Sequence, residues 1–256
     1  MAANTVALVL VALLYFPISS PVNALSSNYY DKTCPQLETA VRYAVQKSMM
    51  NDRTVPAALL RMHFHDCFIK SGGPTWDVPK GRKDGRISKA NDTVQLPAPT
   101  SNVSELQQSF SQRGFSMKDL VALSGGHTLG FAHCSSFQNR IHNFNATHDV
   151  DPTMNPSFAA SLRSVCPMHN MVKNSGATLD SSPTAFDNAY YKLLLQGKSL
   201  FSSDQALLTA PNTKNLVSKF AASQKAFEKA FVRSMIKTSR ISGHGQEIRL
   251  DCKAVN

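Results

Sequence analysis

Apolar residues recur along this chain at helical spacing, separated by polar stretches rich in glycine, proline and asparagine. From Pro35 to Met50, residues Leu37, Ala40, Val41, Ala44 and Val45 fall on one stripe, the i, i+3, i+4 signature of an amphipathic helix. Pro56 suits a first helical turn, and Ala57 to Phe68 continues apolar on one side. Asn102 followed by Glu105 forms a capping box that opens another helix, which Gly114 can end. Ser116 and Asp119 open the next, closed near Gly125 and Gly126. Thr213 to Ala222 and Ser223 to Lys237 predict a helical pair, with Phe227, Ala230, Phe231 and Met235 as the apolar stripe of the second. Ser71 to Thr100, Phe144 to Asn155 and Met168 to Thr184 read as loops. No internal repeat and no strong run of period two is present, so the predicted class is mostly α.

The N-terminus changes how everything after it reads. Val6 to Phe16 is an unbroken apolar run of eleven residues, too short to cross a bilayer. Small and polar residues follow, and Val22-Asn23-Ala24 fits the cleavage rule of a secretory signal. Residues 1–24 are therefore expected to be a signal peptide. No later run reaches membrane-spanning length, so the mature chain is expected to be secreted, with no membrane span. Five cysteines in an oxidising compartment leave at least one thiol unpaired or paired between chains. Sequons at Asn91, Asn102 and Asn145 agree with a glycosylated product.

Composition adds little beyond this. With 256 residues and 42% apolar content, the chain fits one large domain or two modest ones and is not disordered. The formal charge is +10, but lysine and arginine are scattered, which argues against a nucleic-acid arm. The simpler expectation is solubility and attraction to polyanionic matrix such as a cell wall.

Two histidine-bearing segments are candidates for chemistry. In Leu60 to Phe68, helical spacing stacks Arg61 and His65 on one face. A guanidinium one turn from an imidazole makes sense where something anionic or strongly polarised will sit. His63, His65 and Cys67 alternate, and on a strand they would converge like zinc ligands; the helical period splays them around the axis. In Ser124 to Gly130, glycines on both sides of His127 let the backbone approach something bulky and flat. A lone histidine in that setting is more often structural than a ligand. No Gly-x-Ser-x-Gly elbow supports a serine hydrolase.

Arg61 to Phe68 resembles the distal active-site signature of the secretory plant (class III) haem peroxidases, and Asp119 to Thr128 resembles their proximal haem-ligand signature. The likeness extends to Tyr29–Pro35, Val78–Arg86, Leu96–Pro99, Phe186–Tyr191, Ser203–Gln205 and Ile248–Cys252, essentially all of the mature chain. It implies an all-α, two-lobed fold with haem b between a distal lobe (25–100, incomplete) and a proximal lobe (101–256). His127 would be the axial iron ligand through Nε2, with Asp204 accepting the proton of its other ring nitrogen. His65 would move a proton between the two oxygens of hydrogen peroxide, and Arg61 would stabilise the charge developing as their bond breaks. Pro97 matches a contact for the phenolic donor. Thr128, Asp180, Ser182 and Asp187 match the oxygen ligands of a proximal calcium site, and Asp66 one ligand of a distal calcium site. Cys134 and Cys166 match a family disulfide.

The chain departs from the family after Lys70. A Gly-Cys-Asp-Gly-Ser loop and several helices are expected there, but Ser71 to Trp76, from the far end of that block, follows at once. His65 and His127 stand only 127 − 65 = 62 positions apart, about half the family spacing implied by the resemblance. Both flanks are intact, as a skipped exon would leave them. Lost with the block are the other distal calcium ligands, the asparagine that orients the distal histidine, and the aspartate partner of Arg82. Cys34, Cys67 and Cys252 each match half of a bridge whose other half is gone. The expected function is a haem peroxidase reducing hydrogen peroxide at the expense of phenolic donors. The alternative is a non-catalytic, secreted haem- or calcium-binding splice product.

Overall fold

The computed structural model describes residues 26–52, 73–81, 83–86, 89, 91, 96–168, 174–241 and 246–247. The signal segment, the helix expected over Ala57–Phe68 with Arg61, His63, His65, Asp66 and Cys67, and also Arg82 and Cys252, lie outside the described residues.

Helix α1 spans Leu37–Asn51, close to the stretch its periodicity predicts. None of its residues is buried, so its apolar stripe is at most half covered. A stripe of this kind is made to pack.

The well-packed part of the chain begins at α2, Val103–Ser111. The Asn102 side chain accepts from the backbone of Ser104 and Glu105, while Glu105 accepts from the backbone of Asn102. Gly114 then turns the chain at φ +77°, left-handed backbone that glycine takes without strain. α3, Met117–Ser124, opens with the second expected capping box, Ser116 with Asp119, and runs into a 3-10 turn over Gly125–Thr128.

Next come β2 (Phe131–His133), α4 (Gln138–Ile141) and α5 (Pro156–Val165), the last with proline in its first turn and Asn155 capping Phe158. β3 (Gly176–Thr178), α6 (Ala189–Leu195) and α7 (Ser202–Gln205) follow. α8 (Pro211–Ala222) and α9 (Gln224–Ser239) form the expected helical pair. The strands are short: β2 pairs antiparallel with β3, and β1 (Asp84–Gly85) with β4 (Gln246–Glu247). Two expected loops therefore each contain a short strand, too short for alternation to register in the sequence. The class is nonetheless all-α.

Two apolar clusters organise this part. In the larger, α3 packs against α8 and α9 while α6 packs on α8, burying Leu120, Val121, Phe186, Tyr191, Leu194, Phe220, Phe227 and Phe231. The stripe expected on α9 is buried at every position: Phe227, Ala230, Phe231 and Met235. The Tyr191 hydroxyl donates to the Val121 carbonyl at 2.8 Å, and Asn188 Nδ2 donates to the carbonyls of Phe220 and Ala221, so these two polar side chains are satisfied inside the core.

The second cluster, around Phe137, Ile141, Leu162 and Leu200, encloses a disulfide between Cys134 and Cys166. Beside it Arg140 is fully buried, its guanidinium donating to Asp151 at 2.9 Å and to the Ser199 carbonyl at 2.6 Å. Among the described residues no helix is long and apolar enough to cross a membrane.

Candidate functional site

His127 sits on the 3-10 turn that continues α3. Its Nδ1 lies 2.9 Å from Asp204 Oδ1 and 3.2 Å from Oδ2. Asp204 lies in α7 and is buried, and Tyr190 of α6 donates its hydroxyl to the same Oδ1 at 2.8 Å. A buried carboxylate held between two donors fixes the tautomer: the proton sits on Nδ1, and any metal bond of this imidazole forms at Nε2. Edge-on rings of Phe201 and Tyr190, with centroids 5.3 and 6.1 Å from that of His127, hold the imidazole plane. The His127 side chain keeps 39% of its surface accessible, whereas Asp204 keeps 5%. Burial, with the Asp204 charge adding to it, pushes the Tyr190 phenol far above its usual range, so it stays a donor.

One of the glycines flanking His127, Gly125, faces the protein core. A Cβ at Gly125 would overlap the Tyr191 hydroxyl and the Phe227 ring. Gly125 thus permits a close approach to the protein core, which seats the turn and so aims His127.

Thr128, next in sequence, begins a second cluster. Its hydroxyl donates to Asp180 at 2.6 Å and reaches Asp187 at 3.3 Å. Ser182 donates its hydroxyl to Asp187 at 2.9 Å and its backbone N–H to Asp180 at 2.7 Å. All four expected oxygen ligands therefore converge. Burial raises the Asp180 carboxyl above its ordinary value, and the nearby charge of Asp187 pushes the same way. Two carboxylates crowded around shared hydroxyls, one of them buried, form a hard-oxygen set that a divalent cation would relieve.

Pro97 lies exposed in the segment before α2. The Pro99 carbonyl, two residues on, accepts from the Ser203 backbone N–H at 2.9 Å, tying this segment to the helix that carries Asp204. The structure thus links Pro97, Asp204 and His127 through short connections, and Thr128 through the chain itself. Arg61, His65 and Asp66 lie outside the described residues. Cys34 is an exposed free thiol. Tyr190 is the site residue that sequence reasoning missed. Its place in the Phe186–Tyr191 motif was visible, but nothing in the spacing pointed it at a carboxylate fourteen positions on.

A profile of the peroxidase family matches residues 69–223. Peroxidase 64 of Arabidopsis thaliana is 53% identical to this chain over 309 aligned positions, covering 96% of the chain and 98% of the relative. The chain belongs to the peroxidase family.

Peroxidase 66 and Peroxidase 45 of the same plant are 42% and 34% identical, over 91% and 93% of this chain. These relatives place it among the plant class III peroxidases that its motifs resemble. The alignment with Peroxidase 64 is longer than the 256 residues of this chain, so the relative carries residues with no counterpart here. That agrees with an internally shortened member. For a peroxidase, the arrangement at His127 fits haem: an accessible imidazole, anchored at Nδ1 by a buried carboxylate and walled by aromatic rings, is a donor suited to ferric iron.

Proposed function

We propose that this chain is a haem-dependent peroxidase that reduces hydrogen peroxide and oxidises phenolic donors in one-electron steps, secreted to the cell wall as a glycoprotein. The observation that carries this reading is the His127–Asp204–Tyr190 chain of hydrogen bonds. When bound, haem b supplies the redox chemistry that no side chain here can. Asp204 draws on the Nδ1 proton and makes the imidazole a stronger electron donor at Nε2. Tyr190 keeps the carboxylate in place and excludes water from its buried side.

Arg61 and His65 are assigned the acid–base work. His65 would take a proton from one peroxide oxygen and return it to the other, so that one water leaves. Two phenolic donors, each giving one electron and one proton, would supply what turns the remaining oxygen into a second water, with the haem providing the electron-transfer chemistry. Arg61 offers fixed positive charge where negative charge accumulates as the bond breaks. Pro97 borders the donor. Thr128, Asp180, Ser182 and Asp187 hold calcium, which stiffens the turn bearing His127; Asp66 is left as one ligand of a second, incomplete calcium site.

The rival is a non-catalytic haem- or calcium-binding splice product. Specific observations favour it: the extra residues of Peroxidase 64 in the alignment, the half-covered stripe of α1 and the exposed thiol of Cys34. One experiment separates the readings. The secreted protein is purified, its haem absorbance recorded, and oxidation of a phenolic dye by hydrogen peroxide assayed. Haem with turnover supports the enzyme, haem without turnover supports the rival, and absence of haem overturns the assignment of His127.

A further inference from the structure

Phenolic radicals released at the haem site meet the protein's own phenols first. Six tyrosines are present, of which Tyr15 falls in the expected signal segment. Tyr190 and Tyr191 are buried, their hydroxyls committed to Asp204 and to the Val121 carbonyl. Tyr29 and Tyr30 are half-buried: their rings meet edge to face with centroids 4.9 Å apart, and Tyr29 also lies against Gly81. Of the five described tyrosines only Tyr43 stands in solvent, with 67% of its surface accessible.

Its place on α1 explains that exposure. At about 100° per residue, Tyr43 lies about 130° around the helix from the centre of the stripe formed by Leu37, Ala40, Val41, Ala44 and Val45. Helical side chains lean back over the preceding turn, and the residues four and three before Tyr43 are Thr39 and Ala40, both short and exposed. Met50, 71% exposed, follows two turns later on nearly the same side. Whatever packs on the stripe approaches from the other side and leaves this ring uncovered.

We propose that Tyr43 is an oxidative cross-linking site, through which two copies of this chain join as a dityrosine. A small phenolic radical takes one electron and one proton from the Tyr43 hydroxyl and is restored to its phenol. Two Tyr43 radicals then form one carbon–carbon bond between the ring positions next to their hydroxyls. The hydrogens at those positions leave as protons while the two oxygens regain theirs, so both phenols are re-formed. The two electrons and two protons withdrawn in all reduce one hydrogen peroxide to two waters. A chain with one accessible ring stops at the dimer instead of growing into a polymer.

The test treats the full secreted chain with hydrogen peroxide and a trace of a small phenol, and reads its size on reducing, denaturing gels. A covalent dimer should form, with dityrosine fluorescence and a link between two Tyr43 peptides in the mass spectrum. Tyr43→Phe should lose the dimer while oxidising a phenolic dye as the parent does. Tyr29→Phe, Tyr30→Phe and Cys34→Ser should each keep it, the last because no disulfide takes part. A dimer persisting in Tyr43→Phe, a link at another residue, a ladder of higher oligomers from the parent, or dye oxidation without dimer would each overturn the proposal. Because radical supply rests on the peroxidase activity proposed above, a parallel sample receives its radicals from a separate, added peroxidase. Dimer in that sample alone supports the site while the chain's own turnover fails; dimer in neither overturns the site.

Discussion

Asp204 and His127 lie 77 positions apart in the chain and meet at 2.9 Å, the carboxylate buried and the imidazole accessible. That contrast sets the chemistry of the site. The charge that tunes the imidazole is shielded from water, while the ring it tunes faces outward.

Replacing Asp204 by asparagine keeps the shape and removes the charge. The haem midpoint potential, read by spectroelectrochemistry, should then move to more positive values, and haem affinity or turnover should fall about 10–100-fold. Tyr190→Phe should shift the potential in the same direction by less, because it removes one of two hydrogen bonds to the carboxylate. An unchanged potential in both variants would break the link between the buried carboxylate and the imidazole.

Calcium should stabilise the protein through Thr128, Asp180, Ser182 and Asp187. Chelation is expected to lower the melting temperature and perturb the haem spectrum together, since Thr128 adjoins His127. Asp187→Asn should abolish the response to added calcium; a chelator effect that survives this substitution would place the ion elsewhere.

Gly125→Ala forces a methyl group against Tyr191 and Phe227. The expected loss is about 1–3 kcal/mol, measured as a lower urea midpoint. Gly114→Ala meets nothing within 4 Å, and its cost should come only from positive φ, about 1 kcal/mol.

Asp119 ties α3 to α9. Burial would raise its carboxyl, but hydrogen bonds from Lys237, Ser116 and Ser234 outweigh that and hold it at about 2, below the usual 3.8. A carboxyl depressed in the folded state contributes stability above its unfolded value and loses it as pH falls through the folded one. Stability should therefore decline between about pH 4 and 2. The Asp119→Asn variant should lack about 1 kcal/mol of that decline, a modest figure because Lys237 is partly in solvent. Urea titrations of both proteins across this range provide the check.

Loss of the Cys134–Cys166 bridge, whose ends stand 32 positions apart, should cost about 3–4 kcal/mol in the chain-entropy account. A paired Cys134→Ala, Cys166→Ala variant compared by thermal unfolding measures it.

Local signals survived translation into three dimensions. The capping boxes at Asn102 and Ser116, the glycine stop at Gly114 and the apolar stripe of α9 all appear where the pattern put them, because each depends on neighbours within about a turn of helix. The helix over Pro156–Val165, the short strands and the engagement of Tyr190 were not legible. The strands exist only as pairs of distant segments, and Tyr190 depends on how α6 lies against α7. Sequence alone determined which residue types were at hand: a histidine beside glycines, oxygen donors near positions 128 and 180–187, and a motif set pointing to one family. Only tertiary structure decided that the glycine faces the core, that four oxygen side chains converge, and that one carboxylate serves two donors. Those facts are distances between segments remote in sequence, and packing, which no local pattern encodes, sets such distances.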